Sequence, residues 1–141
     1  MAFNVLIVDD SSTMRAVIRK TLKVSGFDIG AFWEAVDGQE AMEVLNREWV
    51  DIVLTDINMP NMNGLELMAH MKEDQLLGSI PVVMVTTEGG EKTVRQAIEM
   101  GASGYIKKPF LPEDIKRTLN NIMGEAKDEG NNEGGDDAGD F

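Results

Sequence analysis

Cysteine is absent from this 141-residue chain, which removes disulfides, thiol nucleophiles and thiolate metal sites at once. Histidine occurs only at His70, within LELMAHMKED. It lies off the apolar stripe of Leu65, Met68 and Met71 and has no partner in its motif, so it is expected to be solvated rather than catalytic. No apolar run approaches the roughly 18 residues of a membrane span. The start MAFNVLIVDD reaches two acids before the core of a signal peptide could form, so the chain is expected to be soluble and cytoplasmic. Positive charge is scarce as well. With 13 Lys and Arg against 25 Asp and Glu, the formal charge is -12, which argues against nucleic acid or an anionic membrane as a partner.

The length suits one domain, with no room for an appended DNA-binding module, so any output is expected to come from the domain's own surface. Seven of the acids fall in the last 17 residues, where only Lys127 opposes them. That stretch is otherwise mostly Gly and Asn, with two Ala and with Phe141 as its sole large apolar residue, and it cannot bury enough surface to offset ordering. The expected organisation is a globular domain over residues 1–124 and an acidic, Gly/Asn-rich disordered tail over 125–141.

Short apolar runs alternate with amphipathic segments along the domain. Val5 to Val8, Ala31 to Ala35, Asp51 to Asp56, Val82 to Val85 and Gly104 to Lys107 read as strands. Between them lie helices with inward positions Met14, Val17, Ile18 and Leu22, then Ala41, Val44 and Leu45. Leu65, Met68 and Met71 follow, then Val94, Ala97 and Ile98, and finally Ile115, Leu119 and Ile122. Ser11-Ser12 can cap the first helix and Asp37-Gly38 opens the second, while Gly26 and Gly101 are stops and Pro112 suits a first turn. Trp33 and Trp49 read as packing residues. Five strands alternating with five helices imply an α/β fold with a right-handed, doubly wound parallel sheet.

Three of those strands end on chemistry. The first runs into Asp9-Asp10, the third into Asp56 and the fifth into Lys107-Lys108-Pro109. Ligands of open α/β sheets sit beyond the carboxyl ends of the strands, so three acids and a lysine are expected to meet there. Two carboxylates 4 Å apart repel by about 4 kcal/mol at an effective dielectric of about 20, so a divalent cation or protonation must relieve them. Mg²⁺ is the natural ion for a pair or trio of carboxylates completed by carbonyls, waters and phosphate oxygens. A carboxylate beside Mg²⁺ and a lysine can act as a nucleophile toward phosphorus, which makes Asp56 a candidate phosphoacceptor and Lys108 a point charge for phosphate oxygens. Lys107, on the opposite side of its strand, suits solvent. The Thr86 hydroxyl could donate to a phosphoryl oxygen, giving the loop from Thr87 to Gly90 a reason to move.

The stretches VLIVDDSSTMR, LTDINMPNMNGLEL, PVVMVTTEG and GASGYIKKPF resemble the motif series of response-regulator receiver domains, most closely the single-domain chemotaxis (CheY-like) type, from about Phe3 to Met123. The resemblance implies a flavodoxin-like sheet of strand order 2-1-3-4-5. It makes Asp56 the phosphoacceptor, Asp9, Asp10 and Asp56 with the Asn58 backbone carbonyl the Mg²⁺ site, and Lys108 the phosphoryl-binding lysine behind a cis Lys108-Pro109 bond. Thr86 and Tyr105 become a switch pair. The implied protein is a cytoplasmic, monomeric phosphoacceptor of a two-component system that catalyses its own phosphotransfer and dephosphorylation. Its implied partners are a histidine kinase and an output protein such as a flagellar motor switch component. Asn63 stands where the family commonly has Asp, and Lys107 changes the charge beside Tyr105. Rival expectations are a haloacid-dehalogenase-like phosphatase, which would want an acid where Asn58 stands, and a flavin carrier, which would want a hydroxyl- and glycine-rich loop where the chain has acids. A receiver acting only as a scaffold is a third.

Overall fold

The computed structural model describes residues 2–87 and 91–124. The expected tail from Glu125 to Phe141, and Glu88 to Gly90 of the loop expected to move, lie outside the described residues.

Five parallel strands, β1 (Phe3–Val8), β2 (Ile29–Ala35), β3 (Ile52–Thr55), β4 (Val82–Thr86) and β5 (Gly104–Lys107), form one sheet in the order β2-β1-β3-β4-β5. They alternate with α1 (Ser12–Ser25), α2 (Gly38–Arg47), α3 (Gly64–Lys72), α4 (Glu91–Glu99) and α5 (Pro112–Leu119). A 3-10 turn at Leu77–Ser79 and a π turn at Asn120–Gly124 complete the described elements. The strand order and helix count are those the sequence and its family resemblance imply.

Strand alternation divides the core into two layers. Leu6, Val8, Val53, Val82 and Met84 pack with α2, α3 and α4 through Val44, Leu67, Met68 and Ala97. Val5, Ile7, Leu54, Val83 and Val85 pack with α1 and α5 through Ile18, Leu22, Ile115 and Leu119. Both faces of the central strands are therefore apolar, which is why these strands read as continuous apolar runs rather than as alternating ones. Each fully buried side chain of this size contributes about 1.5–3 kcal/mol.

Local signals start and stop the helices. The Ser11 hydroxyl accepts from the Met14 amide at 3.1 Å, and α1 ends at Gly26 with a left-handed φ of 84°. Asn63 caps α3 reciprocally with Glu66, each side chain accepting from the other's amide at 2.8 and 2.9 Å. The substitution of Asn for the family's common Asp thus keeps the cap.

Several expectations need correction. Strand β2 begins at Ile29 rather than Ala31, because pairing of Phe3 with Ile29 carries the ladder through Gly30. Val17 and Ile98 were expected inward and are exposed, since each lies at the edge of its helix's apolar stripe, beyond the reach of the sheet. Leu65 is only partly buried, and Leu67 takes the inward place beside Met68 and Met71. Ile122 is half-buried, because the chain leaves regular α-helix at Asn120. Trp33 packs on the core as expected, but Trp49 is 76 % exposed.

Candidate functional site

Register places the acids. Val8 of β1 pairs with Thr55 of β3, so the residues that follow, Asp9 and Asp56, leave the sheet side by side. The main chain fixes both exits: the Asp9 amide donates to the Ala35 carbonyl at 3.1 Å and the Asp56 amide to the Val8 carbonyl at 3.0 Å. Carboxylate oxygens of Asp9, Asp10 and Asp56 lie within 4.8 Å of one another, Asp9 buried, Asp56 half-buried and Asp10 exposed.

Lys108 enters from the far side of the sheet. β5 pairs with β4 through Thr86 and Lys107, and the Lys108 amide then donates to the Thr86 carbonyl at 3.0 Å. The Lys108-Pro109 peptide is cis, as the resemblance implies. The side chain is 9 % exposed, and its ammonium bridges Asp9 Oδ2 at 3.0 Å and Asp56 Oδ2 at 3.3 Å. One buried cation thus answers two of three acids, leaving a net negative pocket of oxygen donors. That donor set fits a hard divalent cation, whose ligands are oxygens.

Thr86 is fully buried at the end of β4, and Tyr105 of β5 is partly buried against the core layer of α2 to α4. Met84 belongs to that same layer, so strand alternation puts Thr86 and Tyr105 on one face of the sheet. Asn58 lies exposed in the loop two residues past Asp56, and His70 is exposed on α3. Lys107 is exposed, as its strand position implies.

Three supports were not anticipated. Arg15, on the first turn of α1, donates through Nη1 to the Asp9 carbonyl at 2.5 Å and through Nε to Glu34 on β2 at 2.8 Å, so it ties the β1–α1 loop to the edge strand. Gly64 opens α3 against the backbone of Asp56; any Cβ there would collide with the Asp56 carbonyl oxygen. The third support joins two loops. Asp37, the cap of α2, accepts from the Glu40 amide at 2.9 Å and from Asn61 Nδ2 at 2.7 Å, while the Gly38 amide donates to the Met62 carbonyl at 2.9 Å. Asn61 adopts a left-handed φ of 67°, which Asn tolerates better than most residues. The clasp holds the loop that carries Asn58. The patterns Asn63 to Glu66 and Asp37 to Glu40 were available as capping signals; the Arg15–Glu34 and Asp37–Asn61 contacts bridge elements and leave no local signature.

The Asp37 clasp has a pH consequence. The Glu40 amide first, and then Asn61, hold the Asp37 carboxyl below its ordinary 3.8 against a smaller opposing effect of burial. On acidification the unfolded chain therefore binds this proton first, so the clasp's stabilisation is present above pH 3.8 and is lost as pH falls below it. Asp37→Ala is expected to cost about 1 kcal/mol as a lost cap, and a few degrees of Tm, at neutral pH. The difference from wild type should shrink below pH 3.8 in thermal melts; a gap that widens there would reverse the assignment.

A 2-1-3-4-5 parallel sheet with an acid trio and an ion-pairing lysine at its carboxyl edge defines a receiver, the signalling class of doubly wound proteins. The chain belongs to the response regulator receiver domain family, whose sequence model matches residues 5–120. It is 44 % identical over 126 residues to a chemotaxis protein CheY homolog of Campylobacter jejuni, covering 89 % of this chain and 95 % of that one. It is 42 % identical over 120 residues to chemotaxis protein CheY1 of Helicobacter pylori, covering 84 % and 95 %. Among solved structures, chemotaxis protein CheY4 of Vibrio cholerae superimposes with a TM-score of 0.76 at 31 % identity, covering 87 % of this chain and 100 % of that one.

Proposed function

We propose that the protein is a phosphorylation-activated response regulator of a chemotaxis-type two-component system, with Asp56 as phosphoacceptor. The observation that supports this most is Lys108 bridging Asp9 and Asp56 beside Asp10, a cation and three carboxylates gathered from β1, β3 and β5. An Asp56 carboxylate oxygen attacks the phosphorus of a histidine kinase's phosphohistidine or of a small phosphodonor. The new bond is O–P, and the bond to the leaving nitrogen or oxygen breaks with its electron pair on the leaving atom. Lys108 meets the transferred oxygens, where a loose transition state needs positive charge more than covalent help. Ile57 holds the acceptor in place, its amide donating to Asp56 Oδ1 at 2.7 Å.

Asp9, Asp10 and Asp56, with the Asn58 carbonyl, would hold Mg²⁺, which supplies further positive charge for phosphoryl oxygens. Water attacking the phosphorus of the acyl phosphate at the same site breaks the P–O bond to Asp56, returns its carboxylate and releases inorganic phosphate, which resets the signal. Output follows from Thr86 and Tyr105, which share a sheet face and would carry the change at Asp56 to the surface of α4, β5 and α5. The partners in this reading are a histidine kinase and an output protein of the flagellar motor switch kind, all in the cytoplasm. No helix among the described residues is long and apolar enough to cross a membrane.

Mg²⁺ titration followed by Trp or Tyr fluorescence tests the metal site. Wild type is expected to bind in the micromolar to millimolar range and Asp10→Asn at least several-fold more weakly. Asp10 is exposed, so the variant should fold. Equal affinity in the two proteins would remove Asp10 from the ligand set.

A further inference from the structure

The end of the sheet remote from Asp56 carries a second feature. Trp49 and Leu76 are the most exposed large apolar side chains among the described residues, at 76 % and 83 %. They flank one cleft of about 470 Å³ between the α2–β3 and α3–β4 connections, with Leu45, Val50 and Leu77 buried behind them. Exposed apolar residues scattered singly need no explanation; two on one concavity do.

Both side chains sit on backbone that is held in place. Trp49 Nε1 donates to Asp51 Oδ1 at 3.0 Å, the Trp49 carbonyl accepts from Asn4 Nδ2 at 3.1 Å, and the Asn4 amide donates to Asp51 Oδ2 at 2.7 Å. The amides of Leu76 and Leu77 both donate to Asp74 Oδ1, at 2.8 and 3.1 Å. An exposed tryptophan fixed by its own hydrogen bond has little entropy left to lose on contact, which is the condition of an interface anchor.

Charge selects the occupant. The lining includes Glu48 and Asp51 and no lysine or arginine, and Asp74 lies under the Leu76 turn. Asp51 is met only by neutral donors in the described contacts, whereas the two cations near the rim already have partners, Arg47 on Glu48 at 3.2 Å and Lys72 on the Gly78 carbonyl at 3.1 Å. An acidic segment would be repelled there and a basic one drawn in. We propose that this cleft docks a basic amphipathic segment of a partner protein, one bulky apolar side chain entering between Trp49 and Leu76 and an Arg or Lys meeting Glu48 and Asp51. Strand β3, at about 3.3 Å per residue, separates the cleft from Asp56, so the contact adds a second, independent attachment to the receiver. Two anchors make a small interface, suited to weak and transient binding.

The test uses the full chain and a 12-residue amphipathic helical peptide of Leu and Arg, with a twin in which Glu replaces every Arg. The Arg peptide is expected to shift tryptophan emission to the blue and to give a saturable isotherm by calorimetry. Trp49→Ser and Leu76→Ser are each expected to weaken binding at least tenfold, and both sites are exposed enough for folding to survive. Glu48→Lys should weaken it about fivefold, while the same charge change at exposed Glu113 on α5 leaves it within twofold. Equal binding of the Glu peptide, or affinity within twofold in Trp49→Ser and Leu76→Ser, would overturn the proposal. So would a sedimenting dimer that Leu76→Ser dissolves, which would make a second copy of the chain the occupant.

Discussion

Replacing Asp56 by Asn is expected to abolish phosphoryl uptake. With acetyl phosphate or phosphoramidate and Mg²⁺, intact-mass spectrometry of wild type should show one added phosphoryl group and Asp56→Asn none. The expectation rests on the placement of the three carboxylates. Asp9 shares the Lys108 ammonium but lies buried and accepts the Ser11 amide at 2.9 Å. Asp10 has no described contact with the lysine. Asp56 alone is both reachable from solvent, its side chain 14 % exposed, and within reach of Lys108, at 3.3 Å. Asn keeps the shape and the hydrogen bond to the Ile57 amide but not the nucleophilic carboxylate, so loss of labelling with unchanged Tm separates chemistry from folding. Undiminished labelling would move the acceptor elsewhere.

The second large effect concerns output. Phosphorylation at Asp56 adds charge and acceptor oxygens. The Thr86 hydroxyl is expected to turn toward them and vacate volume that Tyr105 fills from the same sheet face. A modification shifts such an equilibrium only by its differential interaction with the two states, so the output partner must bind the phosphorylated form more tightly. The gain should be about 5- to 150-fold, or about 1–3 kcal/mol. Thr86→Ala is expected to leave labelling of Asp56 largely intact and to remove most of the gain, measured by calorimetry on a partner captured with the phosphorylated protein. A full gain in the Ala variant would rule the pair out as the switch.

Asp9, Asp10, Asp56 and Lys108 were legible because each stands where an apolar run stops, and the carboxyl edge of a parallel sheet collects such positions. Core faces were legible from spacing, but spacing gives only angular position on a helix. Val17 and Ile98 share the stripe of their helices and still face water, because where the neighbouring surface ends is a tertiary fact. Trp49 read as packing for the same reason: hydrophobicity marks what a side chain prefers, and only the fold shows that the α2–β3 connection leaves it outside. Arg15 and the Asp37–Asn61 clasp were illegible in another way. Their partners lie 19 and 24 residues distant, and nothing local distinguishes those polar residues from solvated ones.

The pairing of Lys108 with Asp9 spans 99 residues, close to the whole length of the domain. During synthesis the acids of β1 and β3 leave the ribosome well before the lysine that follows β5, and domains build from the amino end. Until β5 docks on β4, the chain carries three mutually repelling carboxylates without the cation that bridges two of them. Closing so long a loop also belongs late in folding, after the local helices and the β1–β3 pairing. In the proposed function, competence to take up a phosphoryl group would therefore arrive with the final strand, and a truncated or half-folded chain would compete poorly for phosphodonor with the finished protein.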